Sequence, residues 1–339
     1  MNYTSIKNSK SKLNIFSLQN IICFFIALVM ILIISNPARY INSCYNGLLI
    51  WVKNVLPCLF PFLVCTKILT ELNIFSKFTK FFEKITYKLF KAPPIASYAL
   101  LISMISGYPV GAKVILDLYQ NKQISSKTAN KLCTFCSTSG PIFVVGTVGT
   151  IMLKSATLGV IILSAHLISN IINGIIFKKA FVEKDDKQIL DESQDINYGQ
   201  VLSKSMSNAI TSVLVVGGFI AIFYLLIDML TDAHILNFIG SGINILLSPL
   251  KIKIGDSIAS GLIEITRGCL DISKLNCSNL IKCVSITGII SFGGFSIHCQ
   301  SLSFLCQAHI NVKFYFLQKL VHTFISIIIA ILLCLILGI

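Results

Sequence analysis

The chain has 339 residues, of which 55% are hydrophobic and 12% charged, and its mean hydropathy is +0.81. That is more apolar surface than one water-soluble core can bury. The 28 Lys and Arg outnumber the 14 Asp and Glu, for a net charge of +14. The basic residues sit in connectors between apolar runs, and no aromatic-basic groove or nucleic-acid motif accompanies them, so no nucleic-acid partner is expected. Composition excludes a soluble catalytic domain and predicts an all-α polytopic membrane protein of about seven transmembrane helices, its main partner the lipid bilayer.

In chain order, Lys7, Lys10 and Lys12 precede an apolar run from Ile15 to Ser35, closed by Asn36-Pro37-Ala38-Arg39. No small-residue cleavage site follows it, so it reads as an uncleaved first span with a cytoplasmic N-terminus. The next run is Leu48 to Leu72. Phe75, Phe78, Phe82, Ile85 and Leu89 then recur at helical spacing between Lys77, Lys80, Lys84 and Lys88, the pattern of an interfacial amphipathic helix. Ala96 to Tyr119 is too interrupted by Gly, Pro and charge for a simple crossing and reads as a re-entrant hairpin. Runs from Lys131 to Met152 and Leu158 to Phe177 follow. The stretch from Lys178 to Gln200 is a solvated polar linker. Beyond it come Met206 to Leu230, an amphipathic segment over about 234–250, a second hairpin from Ser257 to Leu275, and runs from Leu280 to Cys306 and Phe314 to Leu337.

The same order of elements therefore occurs on both sides of the linker. The pairs Ile105/Ile265, Gly140/Gly293 and His166/His322 are offset by 160, 153 and 156 residues. A repeat with three full crossings places its second copy upside down, which makes this an inverted repeat. The organisation expected is a tail and first span over 1–40, a first repeat over 41–178, a polar cytoplasmic linker over 179–204, and a second, inverted repeat over 205–339. Lysines 7–12, 77–91, 122, 127 and 178–187 then fall inside, against Arg39, Lys154, Lys251, Lys253 and Lys274 outside, which agrees with that orientation.

Polar motifs interrupt the apolar runs. In Ser106-Gly107-Tyr108-Pro109-Val110-Gly111-Ala112-Lys113, glycines and a proline force a helix to stop and restart. The restarting end is an anion site with Lys113 beside it. In Ser137-Thr138-Ser139-Gly140-Pro141, the proline suits the first turn of a new half-helix with Ser139 as its cap. Its counterpart is Ser291-Phe292-Gly293-Gly294-Phe295-Ser296, followed by His298 and Gln300. Broken spans in corresponding positions of a repeat mark a substrate site near the bilayer midplane. In the second hairpin, Glu264 and Arg267 are costly charges at depth; they either neutralise each other or face a polar cavity. There Arg267 suits a carboxylate and Glu264 a coupling ion, Na+ or H+.

The twelve cysteines are scattered through apolar segments, and the Cys133–Cys136 pair, on a predicted helix, has no second ligand pair, so no metal is expected. Nucleophile–base constellations, Walker motifs and H-E-x-x-H are absent, so no catalytic residue and no cofactor is assigned. His166 and His322 each lie inside a span, where a neutral, hydrogen-bonded packing role is favoured over a proton relay.

Taken together, the motifs at 106–113, 139–143, 264–268 and 291–300 resemble those of the YlbJ-type sporulation integral membrane proteins, and the likeness extends over nearly the whole chain. That family is grouped with nucleoside-recognition or Gate-domain proteins, which implies distant kinship with concentrative nucleoside transporters. The resemblance implies a role in spore maturation at the mother-cell or outer forespore membrane of a spore-forming bacterium. Its implied cargo is dipicolinate, a flat aromatic dianion, moved toward the forespore, and its transporter kin imply a homo-oligomer. The substrate residues expected on the motifs are Ser106, Gly107, Tyr108, Lys113, Ser139, Gly140, Arg267, Gly294, Ser296 and Gln300, with Tyr108 or Phe295 stacking on the ring. The alternatives are an ion-coupled nucleoside transporter, relying on Glu264 and Gln300, and a non-transporting scaffold for maturation proteins.

Overall fold

A computed structural model of the chain describes residues 18–72, 74–181 and 197–339. The basic tail with Lys7, Lys10 and Lys12, and the linker charges from Glu183 to Asp195, lie outside the described residues. Within them every regular element is helical. Five helices are long and apolar enough to cross a membrane: Pro37–Leu69, Ala156–Ile176, Tyr198–Asp232, Asn279–Ala308 and Val312–Ile336. The apolar segments Gln19–Ser35 and Ile142–Met152 are shorter and stand where the first and third runs were expected.

The first helix, α1 (Leu18–Ser35), ends where expected, but the second begins earlier than its apolar run. Asn36 accepts the Arg39 N–H at 3.4 Å and Pro37 takes the first helical position. Residues that read as a terminator thus start a helix, because Asn caps and Pro is pre-shaped for the first turn. That helix, α2 (Pro37–Ile50), passes through a π turn at Trp51–Val55 into α3 (Leu56–Glu71). Near its start the Arg39 guanidinium makes a bidentate pair with Asp232, which also accepts from Tyr40 Oη at 3.1 Å.

Next come the amphipathic helix α4 (Ile74–Phe90) and the hairpin of α5 (Ala96–Ser106) and α6 (Val110–Gln120). Each hairpin arm has 11 residues, about 16 Å of helix, and cannot cross a hydrocarbon core of about 30 Å. Then α7 (Ser126–Leu132) gives way to non-helical backbone over 133–140 and a π-helix, Ile142–Met152, before α8 (Ala156–Ile176). The second half runs in the same order: α9 (Tyr198–Asp232), the amphipathic α10 (Ile235–Leu247), the hairpin α11 (Gly255–Ile263) and α12 (Ile265–Lys274), the broken pair α13 (Asn279–Phe292) and α14 (Gly294–Leu305), and α15 (Val312–Ile336).

At the centre α8, α13 and α15 pack against one another, while α9 packs along α2 and α3. The π-helix lies on α8 at backbone contact: a Cβ on Gly149 would stand 2.7 Å from Gly159 Cα. Small residues allow this approach, which maximises dispersion contact where lipid removes the hydrophobic drive between helices. Outward faces stay apolar, with Phe24, Ile34, Phe324 and Ile336 exposed, as an integral membrane protein requires for contact with lipid.

Candidate functional site

Lipid cannot hydrogen-bond the backbone over 133–140, so the protein must. Asn173 Nδ2 donates to Thr134 O at 2.8 Å and Asn170 Nδ2 to Phe135 O at 2.6 Å, both from α8. Tyr108 Oη and Lys319 Nζ both donate to Ser137 O, each at 2.8 Å. Thr138 Oγ1 donates to Ser103 O at 2.8 Å, and the Ser139 N–H donates to His166 Nε2 at 2.9 Å. The expected helix over Cys133–Cys136 is absent. Cys133 caps α7 and Cys136 lies in the unwound stretch, both buried as free thiols. The π-helix begins after Pro141 with no side-chain cap hydrogen bond, so the N–H of Ser139 is engaged by His166 and its side chain does not serve as the expected cap.

Each hairpin tip packs on the break of its own half. Gly107 has φ +71° and ψ −163°, a conformation nearly reserved for glycine, and a Cβ there would collide with Gly140. In the second half Gly294, φ +62°, lies against Gly261 O and Ile265 of the other hairpin. That hairpin turns at one extended residue, Glu264, whose buried carboxylate caps α12 by accepting the Arg267 N–H at 2.8 Å.

Between these elements lies a small cavity of about 40 Å³. Of the residues expected from sequence, Ser106, Tyr108, Ser139, Gly140, Glu264 and Gln300 line it, joined by Phe143 and Thr266. The Gln300 amide donates to Ser296 Oγ at 3.3 Å, and its buried Oε1 has no partner among the described residues. Gly107, Gly294 and Ser296 stand behind the wall as packing and hydrogen-bonding groups. Lys113 does not reach the cavity; on α6 its electrostatic neighbours are Lys67 and Asp117. The Arg267 side chain turns away too. Its Nε donates to Asp271 at 3.1 Å, its Nη2 lies 3.6 Å from Asp228, and its guanidinium sits 5.1 Å from the centre of the Tyr224 ring. It lines a second cavity instead. Phe295 is 57% exposed and lines neither cavity.

A basic residue that the motifs did not flag sits behind the wall of the first cavity. Lys319 of α15 is fully buried, donates to Tyr108 Oη at 2.5 Å, and lies 4.6 Å from the centre of that ring. Its sequence signal was a lysine within the apolar run from Phe314 to Leu337, an expensive placement that marks a functional or partnered charge. The histidines take the packing role expected: His322 Nε2 lies 3.1 Å from His166 O, with the rings 5.0 Å apart.

Two helical hairpins and two broken helices around a cavity define an all-α polytopic membrane protein. The chain superposes on the structure of a concentrative nucleoside transporter, a CNTnw variant in the intermediate 1 state, with a TM-score of 0.54, 13% identity, and coverage of 83% of this chain and 76% of that one. At that identity the likeness concerns the fold. In sequence the chain is similar to the sporulation integral membrane protein YlbJ of Bacillus subtilis (strain 168), 27% identical over 336 residues that span 92% of this chain and 81% of that protein. No family model matches the chain. The likeness to YlbJ is the one the motifs pointed to.

Proposed function

We propose that the protein transports a small anionic metabolite through the central cavity, with dipicolinate, moved toward the forespore, as the first substrate to test. The observation that carries this reading is the buried Lys319 directly behind Tyr108, at a cavity formed by both hairpin tips and the first break. A buried amine with no carboxylate partner among the described residues is stabilised in its charged form by an anion brought close to it, and the flat ring of such a substrate suits the Tyr108 and Phe143 faces on the same wall. The anion-binding role expected of Lys113 thereby passes to Lys319. Glu264, at the opposite hairpin tip, is the group proposed to hold a coupling H+ or Na+. The two repeats, inverted about the membrane plane, would supply the alternating access.

A second reading is favoured by Glu264 and Gln300, which both line the cavity and offer a nucleoside an acceptor and an amide. Uptake of labelled dipicolinate into proteoliposomes, with uridine and an aromatic dicarboxylate as competitors and both ion gradients tested, separates the two. Saturable uptake blocked by the dicarboxylate supports the anion. Block by uridine alone chooses the nucleoside. Absence of both from folded protein overturns transport and leaves a scaffold.

A further inference from the structure

The second cavity, about 410 Å³, adjoins the first. Asn54 and Arg267 line it while their chain neighbours Val55 and Thr266 line the inner one, and on α9 Tyr224 of the outer cavity stands one helical turn from Ile220 of the inner. The two are separated by little more than one layer of side chains. Their chemistry differs. The outer cavity is lined by three cations, Lys53, Arg267 and Lys274, against one carboxylate, Asp271. Arg267 is engaged by Asp271 and Asp228, but among the described residues neither Lys53 nor Lys274 has a carboxylate within ion-pair distance. Both lysines are exposed to the space they line.

The Tyr224 hydroxyl supplies a second, independent sign. The residue is 2% exposed, its ring is held under the Arg267 guanidinium, and its hydroxyl is buried without a hydrogen-bond partner among the described residues. A buried hydroxyl is normally paired, and an orphan at a cavity wall is a donor awaiting an acceptor. Nearby, Asn46 and Asn54 add amide donors to the same wall.

We infer that the outer cavity is a carboxylate-binding vestibule, in which Lys53, Lys274 and the Tyr224 hydroxyl receive a small organic anion before it reaches the central cavity. The inference rests on the anion reading and adds to it a second site on the substrate path. Basic walls of low dielectric raise the local concentration of anions and act on encounter more than on turnover.

The test is the full-length protein in proteoliposomes, with dipicolinate uptake read as KM and kcat, beside calorimetric binding of dipicolinate to detergent-solubilised protein. Lys53→Glu/Lys274→Glu is expected to raise KM about tenfold or more, with kcat within about twofold, and to reverse the dependence of KM on ionic strength. Tyr224→Phe is expected to weaken binding about tenfold while the thermal midpoint stays level or rises, since only an unpaired hydroxyl is lost. A structural tyrosine would instead lose midpoint. Wild-type uptake with a KM that neither variant moves overturns the vestibule and keeps the anion reading. Binding that both variants weaken, without any uptake, keeps the vestibule and overturns the transport reading. Absence of both binding and uptake overturns both.

Discussion

His166 accepts the backbone N–H of Ser139 on Nε2 at 2.9 Å, and that bond fixes the state of the ring. The nitrogen that accepts carries no proton, so the imidazole is neutral and Nδ1–H is the donor to Ser291 Oγ, also at 2.9 Å. One side chain of α8 therefore joins the break of the first half to the end of the helix that leads into the break of the second. Replacing His166 with Ala strands the Ser139 N–H in a buried site and opens a cavity between the halves. Thermal unfolding of the detergent-purified variant should show a loss of about 2–4 kcal/mol. A variant as stable as the parent would remove this link from the account of the fold.

Lys319 has a different balance of structure and function. Ser137 O keeps the Tyr108 hydroxyl as a donor when the lysine is lost, so Lys319→Met should fold with a penalty of only about 1 kcal/mol. Under the anion reading its dipicolinate uptake should fall about tenfold or more, because the amine behind the wall that an anion would pair with is removed. Unchanged uptake would move the anion site away from Tyr108.

Glu264 caps α12 through one carboxylate oxygen that accepts an N–H. A glutamine presents the same acceptor without the charge, so Glu264→Gln should insert and fold normally. If the carboxylate holds the coupling ion, the variant should lose the dependence of uptake on an imposed Na+ or H+ gradient while still exchanging substrate. Gradient-driven uptake at the parent rate would sink that role.

Gly107 and Gly218 form a paired test of where glycine is required. Gly107→Ala places a Cβ against Gly140 at φ +71° and should cost more than the roughly 1–3 kcal/mol of a strained backbone alone. Gly218 lies within α9 with nothing within 4 Å of a built Cβ, so Gly218→Ala should be neutral or stabilising by up to about 1 kcal/mol. The order of the two midpoints checks the tip-to-break contact.

Much of this architecture was legible in the sequence because it is a property of local backbone chemistry. Runs of apolar residues report a bilayer whatever their neighbours. Gly107 with Pro109, and Gly293 with Gly294, interrupt helices by their own conformational limits. The start of α2 at Pro37 was missed because Asn-Pro ends one helix and begins another equally well, and only the continued chain decides between them.

The charges were sorted only by the tertiary structure. Lys113, Arg267 and Lys319 all stand in or beside membrane segments, and the sequence by itself determined that each is expensive there and needs a partner. It also determined the spans, the hairpins, the breaks and the repeated order of elements. Which basic residue backs the central cavity depends on how α6, α12 and α15 are rotated about their axes, and that rotation is set by packing between helices distant in sequence. So Arg267 faces Asp228, Asp271 and the Tyr224 ring, Lys113 lies near Lys67 of α3 and Asp117 of its own helix, and Lys319, inconspicuous in its apolar run, reaches Tyr108 across 211 residues of chain.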